Sequence, residues 1–303
     1  MRLFITRDEY KISRMPKILR MPKKKGNRLS NNSYRNLKNL RNLRNIKPRN
    51  LSNIQNIKPI SIKNNKKALY IGISYENTKF QLNGCINDVL LMKSLLEKRG
   101  FTSKLLTEKS EIKPTKQNII LQLEEFLSSS EDGDILYIHY SGHGSNILDS
   151  NNDEKDGRDE TIVTSDFNHI TDDEFHNIIK TKLTTKSKLF AVFDSCHSGS
   201  VLDLKYVFNN SNFDKVKDEE DLQPSIVLIS GCKDEQYSQE VTTTNGSHGL
   251  LTQTLYTNIS QINNISWLQL YTNIKLMLNK IGAVQIPQLS CSSLINLNEK
   301  IYI

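Results

Sequence analysis

Cysteine is scarce in this chain, with four residues in 303, at positions 85, 196, 232 and 291. That is too few for a disulfide scaffold, and no Cys-x-x-Cys pair offers a structural zinc site. Long apolar runs are missing too. No stretch approaches the roughly eighteen residues of a spanning helix, and the opening MRLFITRDEYK has no apolar core of signal-peptide length. The expectation is a reducing intracellular setting, cytoplasmic with a nuclear alternative. Apolar residues make up 37% of the chain, slightly low for a globular protein, as a disordered segment would explain. Acidic residues are nearly missing from one region only. Residues 1–67 hold 20 of the 41 Lys and Arg but just two acids, Asp8 and Glu9, whereas the other 236 residues carry 21 bases and 31 acids. A basic arm is thus joined to an acidic body.

Residues 30–59 of the arm read SNNSYRNLKNLRNLRNIKPRNLSNIQNIKP, with NIKP at 45–48 and again at 56–59. Asn followed by Leu or Ile recurs every three residues at 36–45 and again at 50–56, a spacing that drifts around a helix and flips faces on a strand. The unit is too short for a solenoid. Residues 1–66 read as a solvated low-complexity extension. Their charge makes nucleic acid or another anionic partner the candidate ligand, and Lys23–Lys25 a candidate import signal. Few aromatics are interleaved, which weakens the case for base stacking.

The texture changes near residue 67. ALYIGISY (68–75) is a continuous apolar run of strand length. NDVLLMKSLLEKRG (87–100) places Val89, Leu90, Met92, Leu95 and Leu96 on one helical face, with Gly100 as its stop. A short strand (103–108), a helix within 115–128 and a buried-type strand, DILYIHY (134–140), follow. A long polar loop then covers 144–160. Thr171 with Glu174 forms a capping box that opens a helix. KLFAVFD (188–194) and SIVLIS (225–230) read as strands, 248–259 and 266–281 as helices, and INLNEKIYI as an edge strand. Alternating elements with apolar strand cores predict a three-layer α/β/α fold with a mostly parallel central sheet.

In such sheets, sites form beyond the carboxyl ends of the strands. DILYIHY runs into SGHGS and LFAVF runs into DSCHSGS, so His143 and Cys196 project from one rim if their strands are neighbours. A thiolate attacks carbonyls, and a nearby imidazole takes its proton. Gly142, Gly144 and Gly199 would allow positive φ and close approach. The N–H groups of Gly144 and Cys196 are candidate oxyanion donors. Asp194, two residues before Cys196, suits a cationic side chain beside the attacked carbonyl. Asp88 alone reads as a helix N-terminal cap.

Together HYSGHG, DSCHSG, GISY, GCINDV and ISGCKDEQYS resemble the type I metacaspases, caspase-fold cysteine proteases, over residues 67–303. The resemblance implies a large-subunit-like region (67–204), a junction loop (205–223) and a small-subunit-like region (224–303). It implies Cys196 as nucleophile, His143 as base, and cleavage after Arg or Lys with Cys85, Asp88 and Ser141 joining Asp194 in the pocket. It also implies calcium bound by Asp159, Asp172, Asp173 and Asp203, and a monomer. The acidic loop 149–160 is itself no EF-hand, since Glu154 stands where the turn glycine belongs. Lys205, Lys215 and Lys217 in the junction, and Lys66 and Lys67 at the arm, are candidate self-cleavage points. The alternative is a catalytically silent scaffold whose basic arm binds nucleic acid or acidic partners.

Overall fold

A computed structural model describes residues 64–148, 157–218, 221–222, 224–232, 239–243 and 246–303. Residues 1–63 of the arm, 149–156 of the acidic loop, and 233–238 of the ISGCKDEQYS motif lie outside the described residues, and Lys66, expected in the arm, belongs to the body.

Five strands form the parallel part of the central sheet: β1 (Lys66–Gly72), β2 (Thr102–Thr107), β3 (Ile135–Ser141), β7 (Lys188–Asp194) and β10 (Ser225–Ser230). Their order is β2-β1-β3-β7-β10. Beyond β10 the sheet turns antiparallel through β13 (Gln288–Cys291), then β8 (Tyr206–Phe208) and β9 (Phe213–Lys215). A second sheet joins β4 (Gly144–Leu148), β5 (Arg158–Val163) and β6 (His169–Thr171), and a hairpin joins β11 (Glu240–Thr243) to β12 (Gly246–Gly249).

The central strands β1, β3, β7 and β10 have apolar, buried middles because both faces are covered. Along β1, Leu69 and Ile71 point into one core while Ala68 and Tyr70 point into the other, as a period of two requires. The first core is covered by α2 (Lys116–Ser128) and α3 (Asp172–Lys182). The second is covered by α1 (Cys85–Glu97), α4 (Leu250–Gln261) and α5 (Trp267–Lys280). Among the described residues, no helix is long and apolar enough to cross a membrane.

Local signals set the helix ends. Thr171 and Glu174 form the expected capping box, and Gly100 follows α1 with φ +87°, the left-handed conformation glycine tolerates. Some expectations are corrected. Leu90 is 45% exposed and does not share the buried face of Val89, Met92 and Leu96, because helical spacing turns it away by about 100°. The polar stretch from 144 contains β4 and the start of β5. The C-terminal INLNEKIYI makes a single bridge, Ser266 to Lys300, while β13 and the β8–β9 hairpin extend the sheet. That hairpin lies in the expected junction loop.

Candidate active site

β3 and β7 are parallel neighbours whose register pairs Ser141 with Asp194. His143 and Cys196 each follow by two residues, so the register delivers both to the same rim. Cys196 is half-buried, whereas Cys85, Cys232 and Cys291 are buried. The turn after β7 is tight. His197 has φ +47°, and Ser198 Oγ donates to the Ser195 carbonyl at 2.8 Å. Cys232 Sγ reaches the same carbonyl at 3.4 Å from behind.

The glycines serve close approach rather than positive φ. Gly142, Gly144 and Gly199 do not have positive φ. A Cβ at Gly144 would overlap the carbonyl oxygen of Cys196, and one at Gly142 would come within 2.5 Å of the Tyr140 hydroxyl. The absence of side chains here lets the histidine turn and the cysteine turn touch.

His143 is fixed by its neighbours. Its Nε2 lies 2.7 Å from the Phe80 carbonyl. A carbonyl only accepts, so Nε2 carries the proton in the neutral ring and Nδ1 keeps the lone pair. The backbone N–H of His143 donates to the Tyr75 hydroxyl at 3.0 Å, and the Tyr140 hydroxyl donates to the His143 carbonyl at 2.7 Å. The imidazole packs on Tyr75 at 4.6 Å between centroids.

On the α1/α4 side of the rim, two carboxylates are buried. Asp88 lies in the first turn of α1, whose cap residue is Gly84, so it does not serve as the N-cap. Its oxygens accept from Ser141 Oγ at 2.8 Å and from the Gly249 N–H at 3.0 and 3.1 Å, and they lie 3.1 Å from His248 Nδ1. Burial, reinforced by the nearby Asp194, raises the Asp88 carboxyl from 3.8 to about 7 despite those hydrogen bonds. Asp194 accepts from the N–H and hydroxyl of Thr252 at 2.9 and 2.8 Å, at the start of α4. Helix N-termini favour such carboxylates. A Cβ at Gly249 would overlap Asp194. Cys85 is buried beside them, and burial followed by the Asp88 charge pushes its thiol well above the ordinary range. The β11–β12 hairpin closes this corner. Glu240 accepts from the N–H groups of Asn83 and Gly84, and the Asn87 side chain donates to the Ser247 carbonyl. The structure thus groups Cys85, Asp88, Ser141 and Asp194, and adds His248, Gly249 and Thr252, which no sequence motif had marked.

The aspartates expected to bind calcium lie on the α2/α3 side. Asp159, Asp172 and Asp203 are buried, as is Glu160. Asp172 Oδ2 accepts from the Glu160 N–H at 3.3 Å, and Ser200 Oγ donates to Glu160 at 2.7 Å. His176, one turn beyond Asp172, has Nδ1 4.0 Å from Asp203. Hard oxygen donors of this kind fit calcium. Asp203 is ion-paired with Lys217 of the junction, and among the described residues no three such side chains close into a metal cage. Of the candidate cleavage points, Lys215 pairs with Asp218 and Lys205 with Asp221. Lys66 and Lys67 lie inside β1, bonded to β3 on one side, with Lys67 also opposite Thr102 of β2.

Comparison with known proteins bears on the family. A family model described as metacaspase, peptidase C14 domain, matches residues 66–205. Metacaspase-2 of Trypanosoma brucei brucei is 32% identical over 260 residues, covering 77% of this chain and 75% of its own. Metacaspase-1 of Schizosaccharomyces pombe is 31% identical, covering 78% and 69%. A third relative, 31% identical and also from Trypanosoma brucei brucei, is named an inactive metacaspase-4. A crystal structure of a Geobacter sulfurreducens protein aligns with a TM-score of 0.59 and 26% identity, over 78% of this chain and 97% of that one. With its caspase-like α/β fold and these relatives, the chain belongs to the metacaspase family of cysteine peptidases.

Proposed function

We propose that the protein is an endopeptidase that cleaves after Arg or Lys, with Cys196 as nucleophile and His143 as base. The observation that carries this reading is the hydrogen bond from His143 Nε2 to the Phe80 carbonyl, which leaves Nδ1 as the proton acceptor. In this mechanism Nδ1 takes the Cys196 proton and the thiolate adds to the scissile carbonyl. The N–H groups of Gly144 and Cys196 are assigned to the oxyanion. The imidazolium then protonates the leaving amine, and water, deprotonated by the same imidazole, hydrolyses the thioester.

Specificity for a basic side chain rests on Asp88 and Asp194, two buried carboxylates beside the nucleophile turn. A guanidinium or ammonium satisfies them, and an acidic side chain is repelled. Calcium activation and self-processing belong to the same proposal. Asp159, Asp172, Asp173 and Asp203 would hold the ion, and its charge would offset repulsion among carboxylates behind the rim. Candidate self-cleavage points are Lys215 and Lys217.

The test is a panel of fluorogenic peptides ending in Arg, Lys or Asp, run with millimolar calcium and with chelator. Cleavage of the first two in calcium is the expected result. Labelling of Cys196 by an Arg-directed electrophile separates the enzyme from the scaffold reading, which predicts none.

A further inference from the structure

Three aromatic rings line the histidine side of the rim. Tyr75 is buried and packs against the imidazole with the rings tilted by 42°. Phe80 and Phe167 rise beside it, 48% and 45% exposed. Phe167 lies 5.8 Å from both Tyr75 and Phe80, and Phe80 meets the His143 ring edge-on at 6.4 Å. The result is an apolar cup with Tyr75 as its floor, two phenylalanines as its walls and His143 as its inner edge.

The position of Phe167 is imposed. Its φ is +59°, a conformation that costs a bulky residue energy. Bonds on both sides hold the turn there: Phe167 N–H donates to the Thr164 carbonyl at 2.9 Å and Ser165 N–H to the Pro114 carbonyl at 3.0 Å. The Asp166 carboxylate accepts from the Lys116 N–H at 3.1 Å. Glycine would suit this backbone, yet the chain places a half-exposed phenylalanine against Tyr75 and Phe80, the two rings that touch the histidine.

Reaction geometry says which part of a substrate meets the cup. The leaving nitrogen must receive its proton from His143, so the residue it carries lies on the imidazole side of the scissile bond. The acyl side runs the other way, towards Asp88 and Asp194. The two sites also belong to opposite faces of the sheet. Tyr75 packs in the α2/α3 core, whereas Val89 and Leu250, neighbours of the acidic pocket, pack in the α1/α4/α5 core. A peptide crossing the rim therefore has its basic side chain over one face and its next residue over the other.

We propose that Phe80, Phe167 and Tyr75 form an apolar subsite for the side chain that follows the scissile bond, preferring large aliphatic or aromatic residues there. The inference rests on the peptidase reading above. It adds a second specificity determinant: a basic residue followed by an apolar one.

The experiment uses the whole 303-residue chain in millimolar calcium and internally quenched peptides that vary only the residue after a fixed Arg, from Leu and Phe to Ser and Glu. Wild-type enzyme should favour Leu and Phe over Ser by about tenfold in kcat/KM, the size of effect an apolar pocket delivers. Phe167→Gly, which relieves the left-handed backbone, should bring that ratio to within about twofold, and Phe167→Trp should retain it. If the rings only shield the imidazole from water, Phe167→Gly would slow all peptides alike and shift the pH–rate profile while the ratio persists, and the subsite would be refuted. Equal wild-type rates for Leu, Ser and Glu would also refute it. A parallel set varying the residue before the bond keeps the two proposals apart: a preference for apolar residues after a non-basic one would sink the Arg/Lys reading and leave the subsite standing.

Discussion

At the scale of single residues, the proposed chemistry depends on groups that sequence motifs mark unevenly. Cys196 and His143 were legible, because each ends an apolar strand inside a glycine-rich turn. The Phe80 carbonyl was not, since any residue supplies a carbonyl and only folding brings 80 to 143. Cys196→Ala should lower peptide cleavage by at least about 10³-fold, and His143→Ala nearly as much, because nucleophile and base act as a unit. Thermal unfolding should show Cys196→Ala within about 1 kcal/mol of wild type, since the residue is half-buried at a rim. Near-normal turnover by Cys196→Ala would remove the assignment. Asp88 carries a pH prediction. Its folded carboxyl is raised from 3.8 to about 7, first by burial and then by Asp194. The folded state therefore holds a proton that the unfolded chain has released. This contribution to stability is complete below about 3.8 and fades as pH rises through about 7. Asp88→Asn should flatten that decline in melting temperature. A cation in the pocket reverses the preference, so a small guanidine or amidine inhibitor such as benzamidine should bind wild type more tightly as pH rises through about 7. Cys85, Asp194, Glu240 and His248 share this corner with Asp88. A flat inhibition constant from pH 5 to 8 would contradict the acidic pocket.

At the scale of elements, the long apolar strands and the capped helices were readable because their signals are local. Thr171 with Glu174 names a helix start without any tertiary contact. The β8–β9 hairpin and β13 were not readable. They are three- and four-residue strands, too short for a period of two to be seen above polar surroundings, and they exist because the sheet edge at β10 offers hydrogen bonds. The junction is consequently part of the sheet, and its Lys217 reaches Asp203. If calcium takes Asp203 as ligand, it must displace that ammonium. Lys217→Met should then tighten calcium binding by roughly two- to fivefold, the worth of a partly exposed ion pair. Titration calorimetry on a Cys196→Ala background measures this without self-cleavage. Unchanged affinity would show that Lys217 and calcium do not compete.

At the scale of the whole molecule, the fold places chemistry where two covered faces of one sheet meet at a rim. The alternation of elements foretold the layers, since strands with apolar cores need cover on both sides. It could not foretell that the acidic pocket and the aromatic cup belong to opposite faces, because face assignment follows from register. Composition also divides the chain electrically, with twenty bases and two acids in residues 1–67 and an excess of acids beyond. Residues 1–63 of the arm lie outside the described residues, so its role is argued from charge alone. A polyanion that neutralises several of these bases releases its own counterions, and the observed affinity then falls steeply with salt. The 303-residue Cys196→Ala chain should bind single-stranded nucleic acid or heparin at low salt, with log affinity falling linearly against log salt. Sequence preference should be weak, because few aromatics are available to stack on bases. Replacing the arginines and lysines of 35–49 by glutamine should reduce that slope in proportion to the charges removed. Fluorescence anisotropy across a salt series decides the matter. A salt-independent affinity, or one that survives the glutamine replacements, would place the binding elsewhere and leave the arm without a polyanion role.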